Sequence, residues 1–351
     1  MAVPTDSDRG ESPPTVTAVI LAWGAEPVLE ESVRAVLAST DVRPDVVLVD
    51  NGCTSDAVEV LAKVSGVTVV RPGENLGFAA GCNLGARRAT GEFVAFVNGD
   101  AVVRPDALGH LVRGLSDDVG LTTASLRLYD DPERLNSAGN PVHYTGLSWA
   151  GGLGELATSY AVGRAGPEDV ASTTGAATVA RADRFAELGG FCEPMFAYCE
   201  DADLSLRCWQ RGWRVVLVPE AVVLHRYEFS RNDLKLYLLE RNRVFMVLTV
   251  YSARLLAAVL VPFLAMEVAV LAVAAKDGWA GRKLAGWWWL LRNAGLVRRR
   301  RREVQAARTV PDDRLATLLT GDVTPGVDGL SVPTMLRRVS VAYWSLARRV
   351  V

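Results

Sequence analysis

Three acidic side chains crowd into four positions of "MFAYCEDADLSLRCWQRGW", residues 195–213: Glu200, Asp201 and Asp203. A carboxylate there could take a proton from an attacking nucleophile. It could equally serve a helix start, where acids meet unpaired N–H groups and the positive end of the macrodipole. Another acid stands in "FVAFVNGDAVV", where Asp100 follows Asn98 and Gly99. At a strand end Asp100 could hold a hard divalent cation, Mg²⁺ or Mn²⁺, which uses few protein carboxylates and takes other ligands from phosphates and water. Asn-Gly between apolar runs is also a hairpin signal, in which Asn98 and Gly99 turn the chain and Asp100 starts the returning strand. Arg104-Pro105 shortens that second run and counts against the hairpin. His225, one of three histidines, ends the apolar run "VVLVPEAVVLH". A neutral imidazole there could complete a metal site or hydrogen-bond a phosphate, or be structural.

The elements that must position these residues follow from hydrophobic periodicity. "TVTAVILAW", "DVVLVDNG", "VTVVRP", "EFVAFVNGD" and "VGLTTASLRL" read as strands. Amphipathic stretches at 27–39, 55–64, 76–89 and 105–115 read as the helices between them. Such alternation predicts βαβ units, an α/β fold and a mostly parallel, Rossmann-like sheet flanked by helices. Ligands bind at the carboxyl ends of such strands, which singles out Asp50, Asn51, Arg71 and residues 98–100. Gly77, Gly81 and Gly85 share one face of a predicted helix, so a ligand or another part of the chain must come close there. No Gly-x-Gly-x-x-Gly and no Walker A loop is present, which argues against dinucleotide and P-loop chemistry.

The 351 residues suffice for one large domain or two ordinary ones, and half of them are apolar. A net charge of −2 gives no reason to expect nucleic acid as a partner. The five cysteines are odd in number and form no CxxC pair, which fits a reducing compartment. The polar, Pro-bearing start "MAVPTDSDRGESPP" does not read as a signal peptide, and residues 1–14 are expected to be disordered. Residues 127–155 are rich in turns and aromatics and read as an irregular excursion. "DVASTTGAATVARADRFAELGGF" then gives a strand, a helix and a Gly-Gly turn.

Taken in order, these motifs resemble the family 2 glycosyltransferases of the GT-A fold, especially the bacterial rhamnosyltransferase-like branch. "VTAVILAW" is followed by "VDNGCTSDA", similar to the family's Asp-Asn-Gly-Ser turn. "ENLGFAAGCNLGA" resembles its Asn-x-Gly-Phe segment, and "FVNGD" its Asn-Pro-Asp form of the Asp-x-Asp motif. "TGAATVARADRFAELGGFCEPMFAYCEDADLSLRCWQRGW" resembles its acceptor and base region. "LHRYEFS" and "YLLERNR" resemble its His segment and its Arg-Asn-Arg helix. The resemblance covers roughly residues 16–245 and is built of individually weak pieces. It implies that Asp201 is the general base, with Glu200 as helper or alternative. It implies donor contacts from Asp50, Asn51, Asn75, Gly77, Asn98 and Asp100, acceptor contacts from Gly175, Ala176 and Phe196, and a divalent cation on Asp100 and His225. The reaction implied is inverting transfer of a sugar, rhamnose in that branch, from a nucleotide-diphosphate donor to a hydroxyl of a glycan or polyprenyl-linked acceptor in cell-envelope polysaccharide synthesis. The sequence departs from the pattern at Gly99, at Cys192 and at Ala22-Trp23.

The transferase domain is expected over 15–240 and a helical region over 241–351. Residues 255–275, "LLAAVLVPFLAMEVAVLAVAA", are long enough to span a bilayer, with Pro262 and Glu267 as blemishes. "GWWWLL" and "VRRRRREVQAAR" fit a membrane surface carrying anionic lipid. Peripheral or re-entrant contact at the inner face of the cell membrane is therefore expected, on a cytoplasmic protein. A buried helical subdomain or a homodimer interface is the alternative. Two other function classes compete. A non-catalytic nucleotide-sugar-binding protein is compatible with the departures. A sugar nucleotidyltransferase would need a basic Gly-rich loop after the first strand, and "LAWGAEPVLEE" has none.

Overall fold

The computed structural model describes residues 12–160, 166–226, 233–323 and 332–351. Residues 1–11 of the expected disordered lead-in and residues 227–230 of the "LHRYEFS" segment lie outside the described residues. The described strands are β1 (Thr15–Gly24), β2 (Arg43–Cys53), β3 (Val67–Val70), β4 (Phe93–Val97), β5 (Ala101–Val103), β6 (Val119–Leu128), β7 (Leu135–Ser137), β8 (Glu168–Asp169), β9 (Ala177–Arg181) and β10 (Arg214–His225). Their order across one sheet is β3-β2-β1-β4-β9-β6-β10-β5, with β7 beside β6 and β8 beside β10.

Pairing is parallel through β3-β2-β1-β4 and again between β6 and β10, as βαβ connections require. β9 lies antiparallel between β4 and β6. Alternation along β1 sends Val16, Ala18, Ile20 and Ala22 to one core with the Leu29–Leu37 and Ala107–Arg113 helices. Val19 and the partly buried Leu21 go to the other core, with Phe96, Phe185, Phe191 and Leu204. Burial on both faces is why the parallel strands read as near-continuous apolar runs.

The Asn98-Gly99 ambiguity is resolved by pairing. β5 does not return along β4. It crosses to the far edge of the sheet and pairs antiparallel with β10. The hairpin reading therefore fails, because the partner of β5 lies more than a hundred residues away in sequence. In this register His225 pairs with Ala101, next to Asp100. Upstream, the pairing of β10 with β6 carries a bulge between Val218 and Val222.

The glycine face packs tightly. A Cβ on Gly85 would collide with Val19, and one on Gly81 would press on Leu21 at 3.0 Å, so the helix Gly77–Ala86 lies close on the sheet.

The helix Asp233–Val250 runs through position 240 and buries Phe245, Val247 and Tyr251 beside it in the same core as the sheet. The helices Ala253–Lys276, Ala280–Arg292 and Ala294–Ala306 follow. The excursion after β6 is tied to the chain's end, since Tyr144 stacks on Trp344 at 5.0 Å and His143 bridges to Thr320.

Candidate active site

Asp100 closes the turn between β4 and β5 and His225 ends β10, so the pairing of β5 with β10 brings them together. His225 Nε2 lies 3.2 Å from Asp100 Oδ1, and His225 Nδ1 is 2.8 Å from Asn136 Oδ1. In the tautomer where Nδ1–H donates to Asn136, the Nε2 lone pair faces the carboxylate and the two could share a cation; in the other tautomer Nε2–H donates to Asp100 directly. A carboxylate and an imidazole on one side suit a cation whose other ligands are phosphate and water. Among the described residues no cluster of three or more His, Cys, Asp or Glu side chains forms a closed metal site.

On the neighbouring strand end, the Asn98 N–H donates to Ala176 O at 3.1 Å. The adjacent Gly175 N–H points to Asp201 Oδ2 at 3.3 Å. Two consecutive residues thus link the Asn98–Asp100 turn to the acid cluster. The Phe78 ring lies close beside Gly175, 3.3 Å from where a Cβ would stand.

The three acids have different surroundings. Asp201 is half-buried at the start of the helix Glu200–Gln210 and also accepts the Ala202 N–H at 2.8 Å. Burial raises its pKa, against the backbone N–H groups of Ala202 and Gly175 that lower it. Glu200 is 6% exposed, and its Oε2 has no hydrogen-bond partner among the described residues. Burial first, then the charge of Asp201, push Glu200 well above the ordinary glutamate range. Asp203 is fully buried and accepts from Arg207 Nε at 2.8 Å and Arg300 Nη2 at 2.6 Å. Burial alone would raise Asp203, but Arg300 and Arg207 outweigh it and hold the carboxyl low. Asp203 is a structural anchor, whereas Glu200 and Asp201 have no cation among their described side-chain partners.

On the other flank, Asn51 is buried and orders the turn at 75–77. It accepts the Leu76 N–H at 2.8 Å and donates to Asn75 Oδ1 at 3.1 Å and Gly77 O at 3.2 Å. Asn75 stays exposed, while Gly77 is buried with φ +76° beneath Phe196, whose ring and carbonyl leave no room for a Cβ. Phe196 O also accepts the Ala79 N–H at 3.0 Å, so the 75–77 turn and the loop before Glu200 touch. Asp50, half-buried, accepts the Cys53 N–H at 3.1 Å.

Sequence reasoning gave no role to Asn136, Phe78 or the exposed ring of Trp23, which is 65% accessible at the carboxyl end of β1 near Gly52. The signal for Trp23 was available: a large aromatic at the end of a buried apolar run. Cys192, one of the departures, is buried, and burial foremost pushes its thiol up to about 12.

Comparison with known proteins gives the family and the fold. Residues 17–160 match the family model for glycosyl transferase family 2, and residues 93–297 match that for glycosyl transferase family group 2. An N-acetylglucosaminyl-diphospho-decaprenol L-rhamnosyltransferase of Mycobacterium tuberculosis is 26% identical over 235 residues, covering 60% of this chain and 76% of that protein. The succinoglycan biosynthesis protein ExoO of Rhizobium meliloti is 28% identical over 134 residues, covering 34% and 38%. The structure of GalNAc-T7 with UDP, GalNAc and Mn²⁺ superposes with a TM-score of 0.55 at 18% identity, over 71% of this chain and about half, 51%, of that one. The mannosyltransferase PcManGT of Pyrobaculum calidifontis, with GDP-Man and Mn²⁺, superposes with a TM-score of 0.50 at 18% identity, over 97% and 87%. The fold is that of a GT-A glycosyltransferase. The chain belongs to glycosyl transferase family group 2, a family of glycosyltransferase enzymes, as its motifs led us to expect.

Proposed function

We propose that the protein is an inverting glycosyltransferase that moves a sugar from a nucleoside-diphosphate donor to a hydroxyl of a polyprenyl-linked glycan. The observation that carries this reading is the pair Gly175-Ala176, which joins the Asn98–Asp100 turn to Asp201 through two backbone contacts. A donor held at the strand ends and an acceptor lying on Gly175 would meet within one short span of chain.

Asp100 and His225 would hold a divalent cation, which when bound supplies charge compensation to the leaving diphosphate. Asn75 and Asp50 line the donor side, and Trp23 offers a flat face to the nucleobase. Asp201 accepts the proton of the acceptor hydroxyl as that oxygen bonds to the anomeric carbon. The bond to the diphosphate breaks on the opposite face, so the configuration inverts. A raised Asp201 is the stronger base for this step. Glu200 beside it favours its neutral form and leaves Asp201 the one carboxylate of the pair to ionise first. Rhamnose and a lipid-diphosphate acceptor are favoured by the mycobacterial relative.

The C-terminal helices support placing the enzyme at the membrane surface. The helix Ala253–Lys276 is long and apolar enough to cross a membrane by length and composition. It turns Leu255, Val259, Phe263 and Glu267 inward and exposes Leu260, Val261, Leu264 and Val268. Glu267 pairs with Arg243 and Lys283, which fastens one face to the protein and favours lying on the bilayer over spanning it.

Purified protein with manganese and a panel of nucleotide sugars, assayed with a polyprenyl-diphosphate acceptor, tests the activity. Transfer with an inverted anomer is expected. Asp100→Ala should abolish metal-dependent nucleoside-diphosphate binding in calorimetry while the fold persists. Unchanged metal-dependent affinity in Asp100→Ala would remove the cation from the scheme.

A further inference from the structure

The loop that delivers Asp201 is strained, and a residue from the Asp233–Val250 helix holds it. Phe196, Tyr198 and Cys199 have φ of 67°, 71° and 67°. Residues bearing a Cβ avoid this left-handed region unless their surroundings over-determine it, and three within four positions call for a specific restraint.

Asn242 provides it. Its side chain is fully buried, and Nδ2 donates to Met195 O at 2.9 Å, Ala197 O at 2.8 Å and Tyr198 O at 2.8 Å. Its Oδ1 accepts from Arg241 Nε at 2.9 Å and Nη2 at 2.7 Å, so an all-donor guanidinium fixes which end of the amide faces the loop. Arg241 also donates to Pro194 O at 3.0 Å and Met195 O at 2.8 Å, and lies 4.6 Å over the Trp289 ring. The chain of contacts runs from Trp289 in the helix Ala280–Arg292, through Arg241 and Asn242, to the carbonyls immediately before Glu200 and Asp201.

We infer that Asn242 is a positioning residue for the transfer step: it holds the 195–199 loop in its left-handed form, and thereby sets the Asp201 carboxylate against Gly175. Arg241 orients the Asn242 amide. Asn242 does not bond to Asn51, Asn75 or Asp100; the loop it holds reaches the donor side through Phe196 over Gly77, and the 75–77 turn is held independently by Asn51. The inference rests on Asp201 being the base. Its effect belongs to kcat and not to donor affinity, because displacement of a reacting group by about 1 Å can cost about 10²-fold in rate.

Asn242→Ala is expected to lower kcat by about 10²-fold while calorimetric affinity for a nucleoside diphosphate with manganese stays within about twofold. Adding Tyr198→Gly and Cys199→Gly, which relieves the φ penalty, should recover about tenfold of the loss. A merely structural amide would give no such rescue. Arg241→Lys keeps a cation near Trp289 but loses the planar fork, and should show the same split at about tenfold; it serves if Asn242→Ala does not fold. Unchanged kcat in the variant that folds, parallel loss of kcat and donor affinity, or absence of glycine rescue in folded protein would each overturn the inference. Asp201→Asn, assayed alongside, separates the two readings. If it is inactive while the Asn242 and Arg241 variants keep full kcat, positioning alone fails. If Asp201→Asn is as active as wild type, both fail.

Discussion

Buried carboxylates occur in two regions of this protein and are treated in opposite ways. In the helical region Glu240 and Glu267 share Arg243 and Lys283, and Trp287 adds a donor to Glu267 at 2.6 Å. Burial would raise Glu240, but Arg243 and Lys283 bring it down to about 2. Asp203 is matched in the same way by Arg207 and Arg300. At the carboxyl ends of the strands, Glu200 and Asp201 are raised by their burial and have no cation among their described side-chain partners. Both regions desolvate acids, but only one compensates them. A buried acid without a cation partner is what a proton-transfer site requires and a scaffold avoids.

The sharpest way to break this contrast is to neutralise one acid from each class on the same helix. Asp201→Asn should lose roughly 10²–10⁴ in transfer rate with its melting temperature kept, since it preserves shape and capping but takes up no proton. Asp203→Asn leaves two guanidiniums facing a neutral amide and should cost about 3–5 kcal/mol of stability in denaturant titration. If Asp203→Asn keeps its stability and Asp201→Asn keeps its rate, the two classes do not exist.

A pH series sharpens the contrast. Glu200 has a folded value above its unfolded one, so between the two values the unfolded chain binds fewer protons and stability falls as pH rises. Glu200→Gln should therefore melt higher than wild type near pH 8 and lose that advantage near pH 5. Asp203 has the opposite sign: its contribution is present above the unfolded value and is lost as pH falls through the lowered folded one. Equal melting shifts for Glu200→Gln at both pH values would contradict its raised state.

The smallest effect concerns the arginine run. Arg300 grips Asp203, and Arg301 donates to the carbonyls of Leu248 and Tyr251, so two of the five arginines at 298–302 belong to the scaffold. Arg298, Arg299 and Arg302 are exposed. Replacing these three with glutamine should weaken pelleting with anionic vesicles by about 1 kcal/mol per residue, most strongly at low salt. Wild-type protein that stays in the supernatant at low salt would assign this face elsewhere.

The strands were legible because burial on both sheet faces writes continuous apolar runs into the sequence. Ordered motifs carried the family. The uncertain points were those decided by distant partners. "FVNGDAVV" stays open between a hairpin and a strand end until β5 is seen to pair with β10, and nothing local in those eight residues encodes that choice. Glu267 looks like a blemish in a membrane span until Arg243 and Lys283 meet it from two other helices. The arginine run looks like one surface feature, although helical rotation turns Arg300 inward and Arg299 outward. Asn242 stands in a quoted motif, yet its work depends on backbone angles at 196–199 that composition does not reveal.

The bulge between Val218 and Val222 works as a parity device. Side chains on a strand alternate faces, so odd and even insertions downstream of the bulge have different meanings. One residue added there would keep β10 a strand yet turn His225 away from Asp100. Two would restore the face but carry the imidazole about 6.6 Å along the sheet. Length variation in this strand is therefore quantised at the His225–Asp100 contact, which one added residue would break and two would displace.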